Sequence, residues 1–205
     1  MILYLNMCFI CFKILSIILM EKAKKHILQN FKVIHDEAWA RIKDLKYHPV
    51  HAWGANDKTD YTMPNNEFFD YWVKGWNNSD KWLSHLLSVG ENGQMVNGDS
   101  KTVRILNEAG KMMDKKLIMA GYAMLRPGGT IDTHKDEEES RGWNNVWHLG
   151  LFVSEGCSLI VAGDEGRPTV HTEAIAKLIE FDDSQYHGAI NNGPKDRVIL
   201  YMKWV

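Results

Sequence analysis

From Lys116 to the C-terminus the sequence is built of short apolar runs parted by turn residues: LIMAGYAML, NVWHLGLFV, CSLIVAG, RPTVHT, AIAKLIEF, HGAINN and DRVILYMKW. Several short runs at this close spacing, bounded by Gly, Pro, Asn and Asp, predict strands of a sandwich or barrel. They follow the helical part of the chain instead of alternating with it, which argues against a Rossmann-type parallel sheet. The expected fold is mainly β with flanking α: a cupin-like jelly roll with N-terminal helices.

Upstream, Ile27, Leu28, Phe31, Ile34, Ala38 and Ile42 recur at helical spacing among charges, so Glu21 to Asp44 is expected to form one or two amphipathic helices. Tyr47 to Gly75, rich in Asn, Asp, Gly and aromatics and broken by Pro49 and Pro64, reads as loops with short strands. In NNSDKWLSHLLSVG, Ser79 or Asp80 is placed to cap a helix carrying Trp82, Leu83, Leu86 and Leu87, with Gly90 ending it. A further short helix is expected within Ser100 to Met113. A length of 205 residues, 45% of them hydrophobic, suits a single domain over 20–205, with a helical scaffold to about 115 and a β core from about 116.

The first residues, MILYLNMCFICFKILSIIL, are set apart as an apolar segment over 1–19. The run approaches the roughly 17–25 apolar residues that span a bilayer. Lys13 near its middle costs about 2.5–3.5 kcal/mol on insertion scales, and neither a basic leader nor a small-residue cleavage site marks a signal peptide. Two readings stand: translation beginning at Met20 and a cytoplasmic protein, or an anchor whose following Lys22, Lys24 and Lys25 keep the domain in the cytosol. Membrane association is expected only through 1–19.

A net charge of −2 provides no electrostatic footprint for nucleic acid. Three cysteines, Cys8, Cys11 and Cys157, are too few and odd in number for a disulfide framework and suit a reducing compartment.

The chemistry concentrates after the turn RPGGT. His134 and Asp136 lie two residues apart in an extended segment, which puts both side chains on one side, where they can chelate one ion; the bland reading is a solvated loop beside Glu137, Glu138 and Glu139. His187 follows the turn FDDS at the start of a late strand, where a folded barrel can bring it to the H-x-D. Two histidines and one carboxylate on one face of an octahedral ion leave positions open, as in non-haem Fe(II) oxygenases, whereas a closed zinc site wants a fourth ligand. Lys135 to Asn145 reads either as a lid over this site or as a plain loop.

On DRVILYMKW, alternation puts Arg197, Ile199 and Tyr201 on one face and Val198, Leu200, Met202 and Trp204 on the other. An arginine on so apolar a strand needs a partner: a bound carboxylate held by its planar fork, or a neighbour such as Asp183 or Asp196. His148, on one face with Val146, Gly150 and Phe152, is either a core histidine or a group that meets a carboxylate near the metal.

These pieces resemble the aspartyl/asparaginyl β-hydroxylase family, a branch of the 2-oxoglutarate oxygenases with a double-stranded β-helix fold. The resemblance lies in the PGG turn leading to His134, HLGL from His148, VAGDEG from Val161, FDDS leading to His187, and Arg197 ten residues later. It covers Leu117 to Trp204 well and the helical part loosely. It implies that His134 and His187 bind iron, that Arg197 receives the distal carboxylate of 2-oxoglutarate, and that His148 helps hold the carboxylate nearer the metal. Three positions depart: Asp136 stands where the animal β-hydroxylases have glycine, Ala123 where they have a serine assisting the arginine, and Val146 where they have an arginine.

The expected function is therefore an Fe(II)- and 2-oxoglutarate-dependent dioxygenase consuming O₂, with His134, Asp136 and His187 as metal and catalytic residues and Arg197 and His148 as cosubstrate residues. Its partner is expected to be a small-molecule or peptidyl substrate: an amino-acid residue of Asp/Asn type, a free amino acid or a related small acid. The competing expectations are a cupin-like metal-binding module without turnover and a membrane-anchored lipid hydroxylase.

Overall fold

The computed structural model describes residues 2–46, 71–74, 80–91, 94–97, 100–136, 146–163 and 167–205. Two antiparallel sheets pack face to face and three helices cover the outer face of the larger one. That sheet runs β1-β2-β4-β11-β6-β9, with β3 paired to β2. Its strands are β1 Val73–Lys74, β2 Trp82–Glu91, β3 Gln94–Asn97, β4 Leu117–Leu125, β6 Val146–Phe152, β9 Leu178–Phe181 and β11 Arg197–Trp204. The smaller sheet runs β5-β10-β7-β8, from β5 Gly129–His134, β7 Cys157–Ala162, β8 Pro168–Thr172 and β10 His187–Asn191. This is the jelly-roll arrangement expected from the runs after Lys116.

The helices are α1 Ile2–Gln29, α2 Phe31–Lys43 and α3 Lys101–Met113. The Ser100 hydroxyl accepts from the Val103 amide at 3.2 Å, capping α3. Ala23, Ile27, Ile34, Ala38, Val103, Leu106 and Ala109 of the helices meet Leu83, Leu87, Tyr122, Met124, Leu149, Val198, Leu200 and Met202 of the sheet in one buried core. A polar clasp crosses this layer: Thr102 donates through its amide and hydroxyl to Glu37 at 2.8 and 2.9 Å, and its hydroxyl lies 2.9 Å from that of Tyr122. Along α1, Ile14, Leu15, Ile17 and Ile18 stand more than half exposed. Among residues whose side chains are described, no helix is long and apolar enough to cross a membrane.

The helix expected around Trp82 is instead strand β2, in register with β4 from Trp82↔Leu125 to Val89↔Met119. The cause is burial on both faces. Leu83 and Leu87 point to the helices while Trp82 packs with Leu125 and Ala189 between the sheets, so the alternation that marks a half-exposed strand is missing. A bulge between Leu86 and Ser88 shifts the phase further. A second bulge corrects the face of Phe152: β11 pairs Val198 with Phe152 but Ile199 with Gly150, which turns Phe152 toward the helices. There it lies against His35 and Trp39 with ring centroids 4.3 and 5.8 Å away, while His148 and Gly150 keep the inner face.

Of the stretch Tyr47 to Gly75, 47–70 and 75 lie outside the described residues, as do 137–145 of the suggested lid.

Candidate metal and cosubstrate site

The candidate site lies between the sheets, with the groups that could ligate a metal where β5 ends and β10 begins. His134 ends β5 and His187 begins β10, and the two are register partners. Their ring centroids are 4.3 Å apart. The His134 ring meets the Asp132 carbonyl through Nδ1 at 2.7 Å, and the His187 ring meets the Gln185 carbonyl in the same way at 2.9 Å. A carbonyl only accepts, so each Nδ1 carries the proton and each Nε2 keeps its lone pair for a ligand bond. The chain beyond β5 is turned inward by the Asp136 amide, which donates to the Asp183 carbonyl at 3.1 Å. One ligand atom from each of His134, Asp136 and His187 then falls within 4.8 Å of the others. Ligand atoms about 2.1 Å from one ion and on one octahedral face lie about 3 Å apart, so side-chain shifts of about an ångström each would close the trio.

Lys203, buried near the end of β11, supports this edge from the opposite sheet. Its ammonium lies 2.6 Å from Asp183 and 3.5 Å from Asp136. Burial pushes the Asp183 carboxyl up to about 6, against the pull of Lys203 and with the help of the nearby Asp136 charge. Burial likewise lowers the pKa of His187, which favours the neutral, ligand-competent ring.

Farther in, His148 on β6 and Tyr201 on β11 face each other in register on the inner face. His148 Nδ1 and the Tyr201 hydroxyl are both buried without a hydrogen-bond partner among the described residues. Burial first, then the charges of Arg197 and His187, hold the His148 pKa well below the ordinary imidazole value. Burial, with Asp136 adding, raises the Tyr201 phenol. Two buried polar atoms without a partner among the described residues, one on β6 and one on β11 with its hydroxyl leaning over Gly121, are polar groups that a guest between the sheets could satisfy.

Arg197 begins β11 on this same inner face and is 1% exposed. Neither Asp183 nor Asp196 is its partner. Its guanidinium grips Glu173 in a bidentate pair, Nε to Oε2 at 2.6 Å and Nη2 to Oε1 at 2.5 Å. The arginine expected to receive a carboxylate therefore already holds one from this chain.

The trio can thus hold a divalent ion, whereas the buried arginine of the pocket is already taken by Glu173. The sequence reading missed Lys203, Tyr201 as a pocket group, and Glu173. The first two were accessible, because the alternation that exposed Arg197 puts Tyr201 and Lys203 on its face. Glu173 carries no such signal in the turn TEAIAK.

A jelly roll carrying two histidines and a carboxylate at one sheet edge defines the class of double-stranded β-helix proteins with a candidate site for one metal ion. The chain belongs within that class to the aspartyl/asparaginyl β-hydroxylase family, which it matches over residues 28–205. Two solved structures share the fold. A 2OG-Fe(II) oxygenase family oxidoreductase from Burkholderia pseudomallei superposes with a TM-score of 0.51 at 16% identity, over 61% of this chain and 68% of that one. A prolyl-4-hydroxylase from Pseudomonas putida gives a TM-score of 0.53 at 12% identity, over 86% of each chain. An uncharacterised protein of Acanthamoeba polyphaga mimivirus is 23% identical over 181 residues, 86% of this chain. The chain spans 63% of the length of that relative.

Proposed function

We propose that this protein hydroxylates an aliphatic carbon of an amino-acid residue of Asp/Asn type, a free amino acid or a related small acid, consuming 2-oxoglutarate and O₂ and releasing succinate and CO₂. The observation that carries the reading is the pair of register-matched imidazoles with Nδ1 fixed on backbone carbonyls, beside Asp136 within 4.8 Å. Fe(II) with 2-oxoglutarate, when bound, supplies the oxidising power that replaces a C–H bond by C–OH while the cosubstrate loses CO₂.

The chain's own groups supply position and charge. His134, Asp136 and His187 would hold the ion while leaving coordination positions free for the cosubstrate and O₂. Lys203 offsets the charge of Asp136 and Asp183 and restrains the Asp136 carboxylate from the facing sheet. His148 and Tyr201 offer a carboxylate the buried polar contacts that they lack in this state. His148 Nδ1 donates there in the tautomer with its proton on that nitrogen, and the raised pKa keeps the Tyr201 phenol a donor.

The test is anaerobic addition of Fe(II) and 2-oxoglutarate to the purified chain, followed by O₂ and an assay for succinate. A visible metal-to-ligand charge-transfer band followed by succinate, both lost in Asp136→Ala, is the expected outcome. A metal-binding module without turnover is the second reading, and the Arg197–Glu173 pair is the observation that favours it. Protein that retains Fe(II) yet develops no band and forms no succinate decides for that second reading.

A further inference from the structure

We infer that Glu173 is a displaceable internal competitor for the far carboxylate of the cosubstrate, which sets how tightly the pocket takes a dicarboxylate. The inference rests on the cosubstrate reading above. Its first support is the geometry of the pair. A bidentate guanidinium–carboxylate contact is what the outer end of a dicarboxylate would make with Arg197. Among the described residues, every hydrogen bond of the Arg197 side chain goes to Glu173. Both side chains are almost wholly buried, at 1% and 2% exposure.

The second support is where Glu173 comes from. It belongs to neither sheet. It follows β8, the outermost strand of the smaller sheet, and its neighbours Thr172, Ala174, Ile175 and Ala176 are all exposed. Glu173 alone in this turn reaches inward. The turn is laid on β6 by backbone bonds: the Gly150 amide donates to the Lys177 carbonyl at 3.0 Å and the Ala176 amide to the Gly150 carbonyl at 2.9 Å. These bonds anchor the turn's C-terminal side, while the Glu173 amide itself makes one contact, to the Cys157 carbonyl at 3.1 Å.

Charge decides the consequence. A buried guanidinium without a partner is costly, so Arg197 needs a carboxylate whether or not a guest is present. Exchanging Glu173 for the guest keeps Arg197 paired and returns Glu173 to water among exposed neighbours. While Glu173 stays, the pair has no net charge with which to draw an anion, and the neutral His148 beside it adds none. A 2-oxo acid without a second carboxylate has no reason to compete for Arg197. Glu173 therefore acts on dicarboxylates selectively.

Calorimetry on the anaerobic Fe(II) protein, titrating 2-oxoglutarate and 2-oxovalerate into wild type and Glu173→Gln, tests this. The glutamine keeps one acceptor oxygen for Arg197 while removing the charge, and the unliganded variant's thermal midpoint and circular dichroism report its fold. 2-Oxoglutarate is expected to bind Glu173→Gln at least tenfold more tightly than wild type, with 2-oxovalerate affinity unchanged. Equal or weaker 2-oxoglutarate binding by the folded variant, or equal tightening for both acids, overturns the inference while leaving the cosubstrate reading intact. Hydrogen exchange on wild type provides the second measurement. Saturation with 2-oxoglutarate should accelerate exchange at 173–175, and exchange there that is unchanged or slowed also overturns the inference. Failure of both metal-loaded proteins to bind 2-oxoglutarate overturns the cosubstrate reading and this inference with it.

Discussion

His187 and His134 are register partners across β10 and β5, and each reserves Nε2 by holding a carbonyl two residues earlier in the chain through Nδ1. The pairing is rigid because both rings stand on strands. Asp136 differs: it lies beyond the end of β5 with its side chain about half exposed, and its backbone bond to Asp183 brings it to the trio. Asp136→Ala should therefore leave the fold intact and weaken Fe(II) binding by more than about 100-fold, above the 10–100-fold typical of an outer-shell partner. Chelator competition measures the affinity and circular dichroism the fold. Unchanged affinity would make Asp136 a bystander.

Lys203 faces two carboxylates from a position 7% exposed. Lys203→Met removes the cation and leaves the buried Asp183 without its ion pair, which should cost about 3 kcal/mol, the low end for breaking a buried pair. Asp136, half exposed, adds little. Urea unfolding of the single variant and of Lys203→Met/Asp183→Asn makes the comparison, since the double variant removes the uncompensated charge as well. Recovery of most of the loss in the double variant is expected; a double variant no more stable than the single one contradicts the assignment.

The elements after Lys116 were legible because their runs are short and punctuated; LIMAGYAML is the whole of β4, Leu117–Leu125. The trio was legible because H-x-D fixes two side chains on one side of an extended segment and FDDS marks the entry to β10. What the sequence concealed are relationships made only by packing. β2 hid because both its faces are buried, and Phe152 changed face through a bulge that no local signal announces. Glu173 hid because its turn looks solvated residue by residue, and only its buried pairing with Arg197 at the start of β11 reveals the charge that it answers.

Gly150, in the HLGL motif, is required by close approach. A Cβ there would stand 2.1 Å from the Ala174 carbonyl oxygen and 2.9 Å from its carbon, both backbone atoms that no rotamer change can move away. Gly150→Ala should destabilise the protein by about 1–3 kcal/mol, the range for forced overpacking, by lifting the turn that carries Glu173. The denaturant midpoint reads the loss. A cost below about 0.5 kcal/mol, within the range of an ordinary surface substitution, would mean that the turn is not pinned on β6.

His85 gives the fold an acid limit far from the metal trio, on the helix side of β2. Its Nε2 accepts from Arg41 at 2.9 Å and its Nδ1 meets the Tyr71 carbonyl at 3.0 Å, so both nitrogens are engaged only while the ring is neutral. Trp72 and Tyr122 enclose it, with ring centroids 5.3 and 6.2 Å away. Burial first, then the Arg41 charge, lowers its pKa to about 3, against the pull of the Tyr71 carbonyl. The unfolded chain then binds the extra proton more readily below about pH 6.5, so this stabilisation is complete above that pH and is lost as pH falls toward about 3. The slope approaches about 1.4 kcal/mol per pH unit. Urea unfolding of wild type and His85→Gln at pH 7 and 4.5 isolates the contribution, since glutamine can still accept from Arg41 but does not titrate. The stability difference between the two proteins should move by about 2 to 3 kcal/mol in favour of the variant on acidification. A difference independent of pH would show that His85 takes up its proton without loss of its place in the fold.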